Sequence, residues 1–133
     1  MPKVVSIRVP GEPSFINVLR MTVGSTASIA GFDVEAVDDI AVSVGDAAKL
    51  VTCHGNDKWC EYYDVSISCY EEKIEVEVKA DAAGHTICKS QNRPCLDCPN
   101  EGDLASSIIK SLMDSVEIVE EDGCKSIKMV KNI

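Results

Sequence analysis

Ile108-Ile109-Lys110-Ser111-Leu112-Met113-Asp114-Ser115-Val116 is where the chain changes its hydrophobic period. Upstream, Leu104, Ile108, Ile109 and Leu112 recur at three- to four-residue spacing, which predicts a helix over Leu104–Ser115 with one buried stripe. Downstream, Val116–Glu121 and Lys125–Val130 flank Asp122-Gly123, a turn pair that makes them a hairpin. A helix running straight into a hairpin needs a sheet for the hairpin to join, and the helix stripe must cover that sheet.

The rest of the chain supplies the sheet. Val65, Ile67 and Cys69 alternate, as do Ile74, Val76 and Val78, with a turn at Glu71-Glu72-Lys73 between them. Trp59, Tyr62 and Tyr63 precede this hairpin and are expected to cap the edge of the core. Further back lie two amphipathic helices. Ser14–Ala30 carries Ile16, Leu19, Val23 and Ala27 on one face, is opened by Pro13 and is ended by Gly31. Asp33 is the expected N-cap of the next, whose stripe is Val37, Ile40, Val44, Ala48 and Val51, broken by Gly55-Asn56-Asp57. Lys3–Val9 alternates as a strand with Val5, Ile7 and Val9 on one face. The order strand, two helices, hairpin, loop, helix, hairpin predicts an α+β fold. It is a two-layer sandwich with the helices on one face of a mixed or antiparallel sheet. A chain of 133 residues without an internal repeat is expected to form one domain, 1–133.

The net charge of -9 excludes the basic stripe that a nucleic-acid phosphate track needs, and opposes binding to an anionic membrane surface. No apolar run approaches a membrane span, and Met1–Pro10 lacks a long apolar signal region, so a cytoplasmic location is expected. The 7 cysteines, an odd count without a secretory signal, do not read as a secreted disulfide scaffold. Cys53 and Cys69 fall in helix and strand patterns and read as small core residues.

Residues 82–102 have no periodicity, and a loop of that length in a small domain is usually functional, often a lid. It holds His85, Cys88, Cys95 and Cys98. Three readings stand: free cytosolic thiols, which is the simplest; a tetrahedral Zn2+ site of one His and three Cys; and a reversible Cys95–Cys98 disulfide. The last two make the loop a metal or redox sensor.

Four stretches together resemble the GHKL (Bergerat) ATP-binding fold, and within it the bacterial anti-sigma-factor serine kinases. They are Leu19-Arg20 with Gly31-Phe32-Asp33-Val34-Glu35; Asp39-Ile40-Ala41-Val42 with His54; Val76-Glu77-Val78-Lys79-Ala80-Asp81; and Ile108 to Val116, whose Ser111-Leu112-Met113-Asp114 is the most family-specific part. The resemblance implies a homodimer that sequesters a sigma factor and uses ATP with Mg2+ to phosphorylate a serine of its anti-sigma antagonist. It places Arg20 near the surface shared by both partners.

The resemblance also assigns site residues. The family's second helix carries a Glu, which polarises the attacking hydroxyl, and four residues later an Asn that helps hold Mg2+. Those positions fall on Asp46, a shorter acid, and on Leu50, which has no ligand atom. The family's Asp-x-Gly-x-Gly motif falls on Asp81-Ala82-Ala83-Gly84-His85, keeping the adenine-binding Asp81 and Gly84 but not the flanking glycines. Its glycine-rich phosphate turn falls on Glu101-Gly102-Asp103-Leu104-Ala105-Ser106, where Gly102 and the Ser106 hydroxyl remain beside two acids that repel phosphate. The departures gather at the phosphate end, so weak, slow or absent phosphoryl transfer is expected, with a binding role that needs no catalysis.

Overall fold

The computed structural model describes residues 2–51, 62–80, 107–121 and 124–133. Strand β1 spans Lys3–Pro10, helix α1 Ile16–Ile29 and helix α2 Val34–Val51. Strands β2, β3, β4 and β5 span Tyr62–Cys69, Lys73–Ala80, Ser115–Glu121 and Cys124–Asn132. A 3-10 turn at Pro13–Phe15 leads into α1, and residues 107–112 form a further helical stretch. No helix among the described residues is long and apolar enough to cross a membrane.

The five strands form one sheet in the order β1-β2-β3-β5-β4. Every neighbouring pair is antiparallel, so the sheet is not mixed. Alternation then decides the faces. Tyr63, Val65 and Ile67 of β2, Ile74, Val76 and Val78 of β3, and Ile127 and Met129 of β5 are all buried. They meet Leu19, Val23 and Ala27 from α1 and Ile40, Val44, Ala47 and Ala48 from α2, with Ile109 and Met113 from the third helical region. Helix α1 lies over β1 and β2, and α2 over β3 and β5. Fully burying each large side chain contributes about 1.5–3 kcal/mol, and this layer contact is what holds the sandwich.

The opposite sheet face is polar, as an antiparallel sheet open to water on one side should be. Register places Arg8 opposite Asp64 and Asp64 opposite Lys79, then Glu77 opposite Lys128 and Lys128 opposite Glu117. Opposite charges alternate across the strands, which favours this register over a slipped one. Arg8 holds Asp64 with Nε–Oδ1 at 2.7 Å and Nη2–Oδ2 at 3.3 Å, and its Cζ lies 4.1 Å from the centre of the Tyr62 ring.

The helix ends follow from local chemistry. Asp33 caps α2, its Oδ1 accepting from Ala36 N–H at 2.9 Å. Gly31, at φ 103°, ends α1; Gly31 N–H donates to Ser28 O and Phe32 N–H to Ala27 O, the six-to-one and five-to-two pattern that satisfies the last carbonyls. Thr22 and Thr26 survive inside α1 because their hydroxyls donate back to Val18 O and Thr22 O, each at 2.8 Å.

Several boundaries differ from expectation. Tyr62 and Tyr63 do not precede the central hairpin but begin β2, where Tyr63 is fully buried. The turn is Tyr70–Glu72, closed by Tyr70 N–H donating to Lys73 O, so Lys73 belongs to the strand. Val5 is 38% exposed although it shares a face with Val9, because β1 is an edge strand that α1 covers only toward its far end. The helix expected to reach Ser115 stops at 112. Asp114 N–H donates to Val130 O and the Asp114 carboxylate accepts Asn132 N–H at 2.6 Å, so this residue is already committed to β5.

Candidate functional site

Ser111-Leu112-Met113-Asp114 is a junction in the structure rather than a ligand site. Ser111 Oγ donates to Ile108 O, Met113 is buried in the core, and Asp114 clamps the chain to β5. Lys131 closes the junction from below. Its Nζ donates to Leu112 O at 2.5 Å, at the carbonyl end of the helical stretch where a cation suits the dipole. The same Nζ lies 3.8 Å from Asp39 Oδ2 on α2. One ammonium therefore ties β5, the third helical region and α2 together, and neither Lys131 nor its link to Asp39 stands out in the sequence.

Helix α2 carries the candidate base. Its sheet-facing side holds Ile40, Val44, Ala47 and Ala48, all fully buried. Asp46 sits on the flank, half-buried, and Leu50 stands one helical turn further along the backbone. Asp46 is the one acid in the second half of α2. Ser43, also fully buried, donates its hydroxyl to Asp39 O at 2.8 Å, and Asp39 faces Lys131. The last two turns of α2 thus offer one carboxylate, Asp46, and no group of three potential metal-ligating side chains exists among the described residues. Mg2+ is ordinarily held by one or two carboxylates together with phosphates and water, so Asp46 would supply one ligand and the phosphates and water the others.

Arg20 is the one charged residue of α1. It lies half-buried between the two helices, and a Cβ on Gly45 would collide with its Nε and sit 2.6 Å from Nη2 and 2.8 Å from Cζ. The guanidinium therefore rests directly on the α2 backbone, one residue before Asp46. The sequence signal for this contact is Gly45 itself, because a glycine inside an amphipathic helix marks close approach. Asp81, Gly84, His85, Cys88, Cys95, Cys98, Gly102 and Ser106 lie outside the described residues, and so do Cys53 and His54. Of the sequence-derived site residues, the structure brings Arg20 and the Asp46 turn of α2 together.

A five-stranded antiparallel sheet covered on one face by α1 and α2 is the architecture of a GHKL-type ATPase domain. The family of histidine kinase-like ATPase domains matches residues 9–131, and the chain belongs to it. Domains of this family imply ATP binding. Its relatives are RsbW-like. The serine-protein kinase RsbW of Halalkalibacterium halodurans is 27% identical over 129 residues, covering 92% of this chain and 79% of the relative. The protein of the same name from Staphylococcus aureus is 26% identical over 138 residues, covering 97% and 86%. That from Oceanobacillus iheyensis is 25% identical over 127 residues, covering 90% and 80%.

Proposed function

We propose that this chain is a single-domain cytoplasmic anti-sigma factor that acts by binding, as a homodimer, with a sigma factor and an anti-sigma antagonist competing for one surface. The observation that carries this is the outward face of α1. Met21 is 72% exposed and Ile29 86%, with Val18 40% exposed beside them. Over Ile16–Ile29 there is no acid at all, in a chain with 22 Asp plus Glu. An uncharged, partly apolar helix face is the composition of a protein-docking surface. The relatives named serine-protein kinase RsbW support the family role.

Kinase chemistry is the second reading. ATP would meet Asp81 at adenine and Gly84, Gly102 and Ser106 toward the phosphates. Asp46 would take the proton of the antagonist's serine hydroxyl as its oxygen attacks the γ-phosphorus and the bond to the departing ADP breaks. A leucine at position 50, with no ligand atom one turn beyond Asp46, argues for slow turnover. A loss of about 4 kcal/mol in metal positioning slows transfer roughly a thousandfold.

Titration calorimetry with the sigma factor tests the first reading. Complex formation at micromolar concentration or tighter is expected, and Met21→Glu should weaken it at least about tenfold with an unchanged melting temperature. No heat and no co-purification with wild-type protein would sink it.

A further inference from the structure

Lys131 breaks the pattern of its strand. Ile127 and Met129 are buried on the helix side of β5, and Lys131 is the next residue on that side, opposite buried Ile74 in register. Alternation calls for a hydrophobe there, and a cation is costly to take from water unless it gains partners. Its side chain is only 19% exposed. The strand is fixed on either side of it, because Val130 O accepts Asp114 N–H and Asn132 N–H donates to the Asp114 carboxylate.

From this fixed base the ammonium reaches two walls. One is the third helical stretch, through Leu112 O, and fully buried Ile109 anchors that stretch in the core. The other is α2, through Asp39 Oδ2 at 3.8 Å. Asp39 and Asp46 are two helical turns apart, so they share one flank of α2, about 10 Å from each other along the axis, and both are half-buried. The chain entering the third stretch carries Gly102 and Ser106, the phosphate candidates of the sequence. The adenine candidate Asp81 follows the far end of β3 in the chain, away from the Ile74 pairing.

We propose that Lys131 is a positioning residue for the phosphate end of the nucleotide. By bridging Leu112 O and Asp39 it sets the spacing between the Asp46 flank of α2 and the stretch that follows the phosphate turn. This rests on the nucleotide reading given above. Phosphate handling is sensitive to such spacing, since a displacement of about 1 Å by a remote change costs roughly a hundredfold in a reaction. Adenine recognition, carried from β3, does not depend on the bridge.

Titration calorimetry at about 15 °C, well below unfolding, separates the two ends. The probes are ATP with Mg2+ and adenosine alone. Lys131→Met should weaken ATP binding about tenfold and leave adenosine binding within about twofold. Asp39→Asn, which costs less stability, should weaken ATP binding about threefold with adenosine again unchanged. The double variant should be no worse than Lys131→Met alone.

Unchanged ATP affinity in both single variants would overturn the positioning role. An equal loss for ATP and adenosine would also overturn it, because it would make Lys131 a general support of the fold. A wild-type protein that binds adenosine as tightly as ATP would overturn the positioning role while leaving adenine recognition intact. A wild-type protein that binds neither would overturn the nucleotide reading as well.

Discussion

Replacing Lys131 with Met keeps the aliphatic stem and removes the charge that joins three elements. The Nζ–Leu112 O bond at 2.5 Å is a hydrogen bond from a charged donor and contributes about 1.5–3 kcal/mol. The Asp39 contact at 3.8 Å has a gross attraction of about 4 kcal/mol at an effective dielectric near 20. Both side chains stay partly wet, at 19% and 30% exposure, so desolvation and screening leave about 0.5–1 kcal/mol of it. The expected loss is therefore about 2–4 kcal/mol. In a domain of this length that is a fall in melting temperature of roughly 6–16 °C. Urea unfolding should show the midpoint falling at constant slope. Asp39→Asn should cost less, about 0.5–1 kcal/mol, and the pair should be non-additive because both act on one ammonium. A loss below about 0.5 kcal/mol for Lys131→Met would refute the reasoning, because it would leave the Leu112 carbonyl as well served by water as by Lys131.

Three further outcomes follow from named groups. Gly31→Ala, at φ 103°, should destabilise by about 1–2 kcal/mol in the same unfolding assay, and no loss would mean that the α1 terminus relaxes freely. Burial raises the Cys69 thiol above its ordinary 9.0, against a smaller lowering by Lys3. The unfolded thiol then ionises first, so this group's stability contribution is present below about pH 9 and is lost as pH rises through the folded value; Cys69→Ala should flatten the melting-temperature slope between pH 8 and 10. Asp46→Ala should abolish any transfer of label from ATP to the antagonist's serine, and signal surviving that change removes Asp46 from the role of base.

The layers and the order of elements were legible because the periods are clean: three-to-four spacing in α1 and α2, and strict alternation in Ile74, Val76 and Val78. Boundaries were less legible where tertiary contacts decide them. Tyr63 reads as an edge aromatic until β1 pairs beyond it, since Val9 stands opposite it in register. Asp114 reads as the last turn of a helix until Val130 and Asn132 bind its backbone and carboxylate. The candidate site was legible only through its chemistry-bearing side chains. Asp46 and Arg20 attract notice on their own, whereas Gly45 acts through an absent side chain, and Lys131 acquires its role from partners 19 and 92 positions away, Leu112 and Asp39. Spacing along one element carries no trace of such contacts.

The proposed binding role rests on the outward α1 face of Val18, Met21 and Ile29, with Arg20 at its α2 flank. Sedimentation of the chain with a sigma factor from the same genome, at about 10 μM each, tests it most directly. A co-sedimenting complex is expected, which Arg20→Ala and Met21→Glu each weaken without unfolding the protein. Independent sedimentation of the two wild-type proteins, or a complex indifferent to both substitutions, would contradict it.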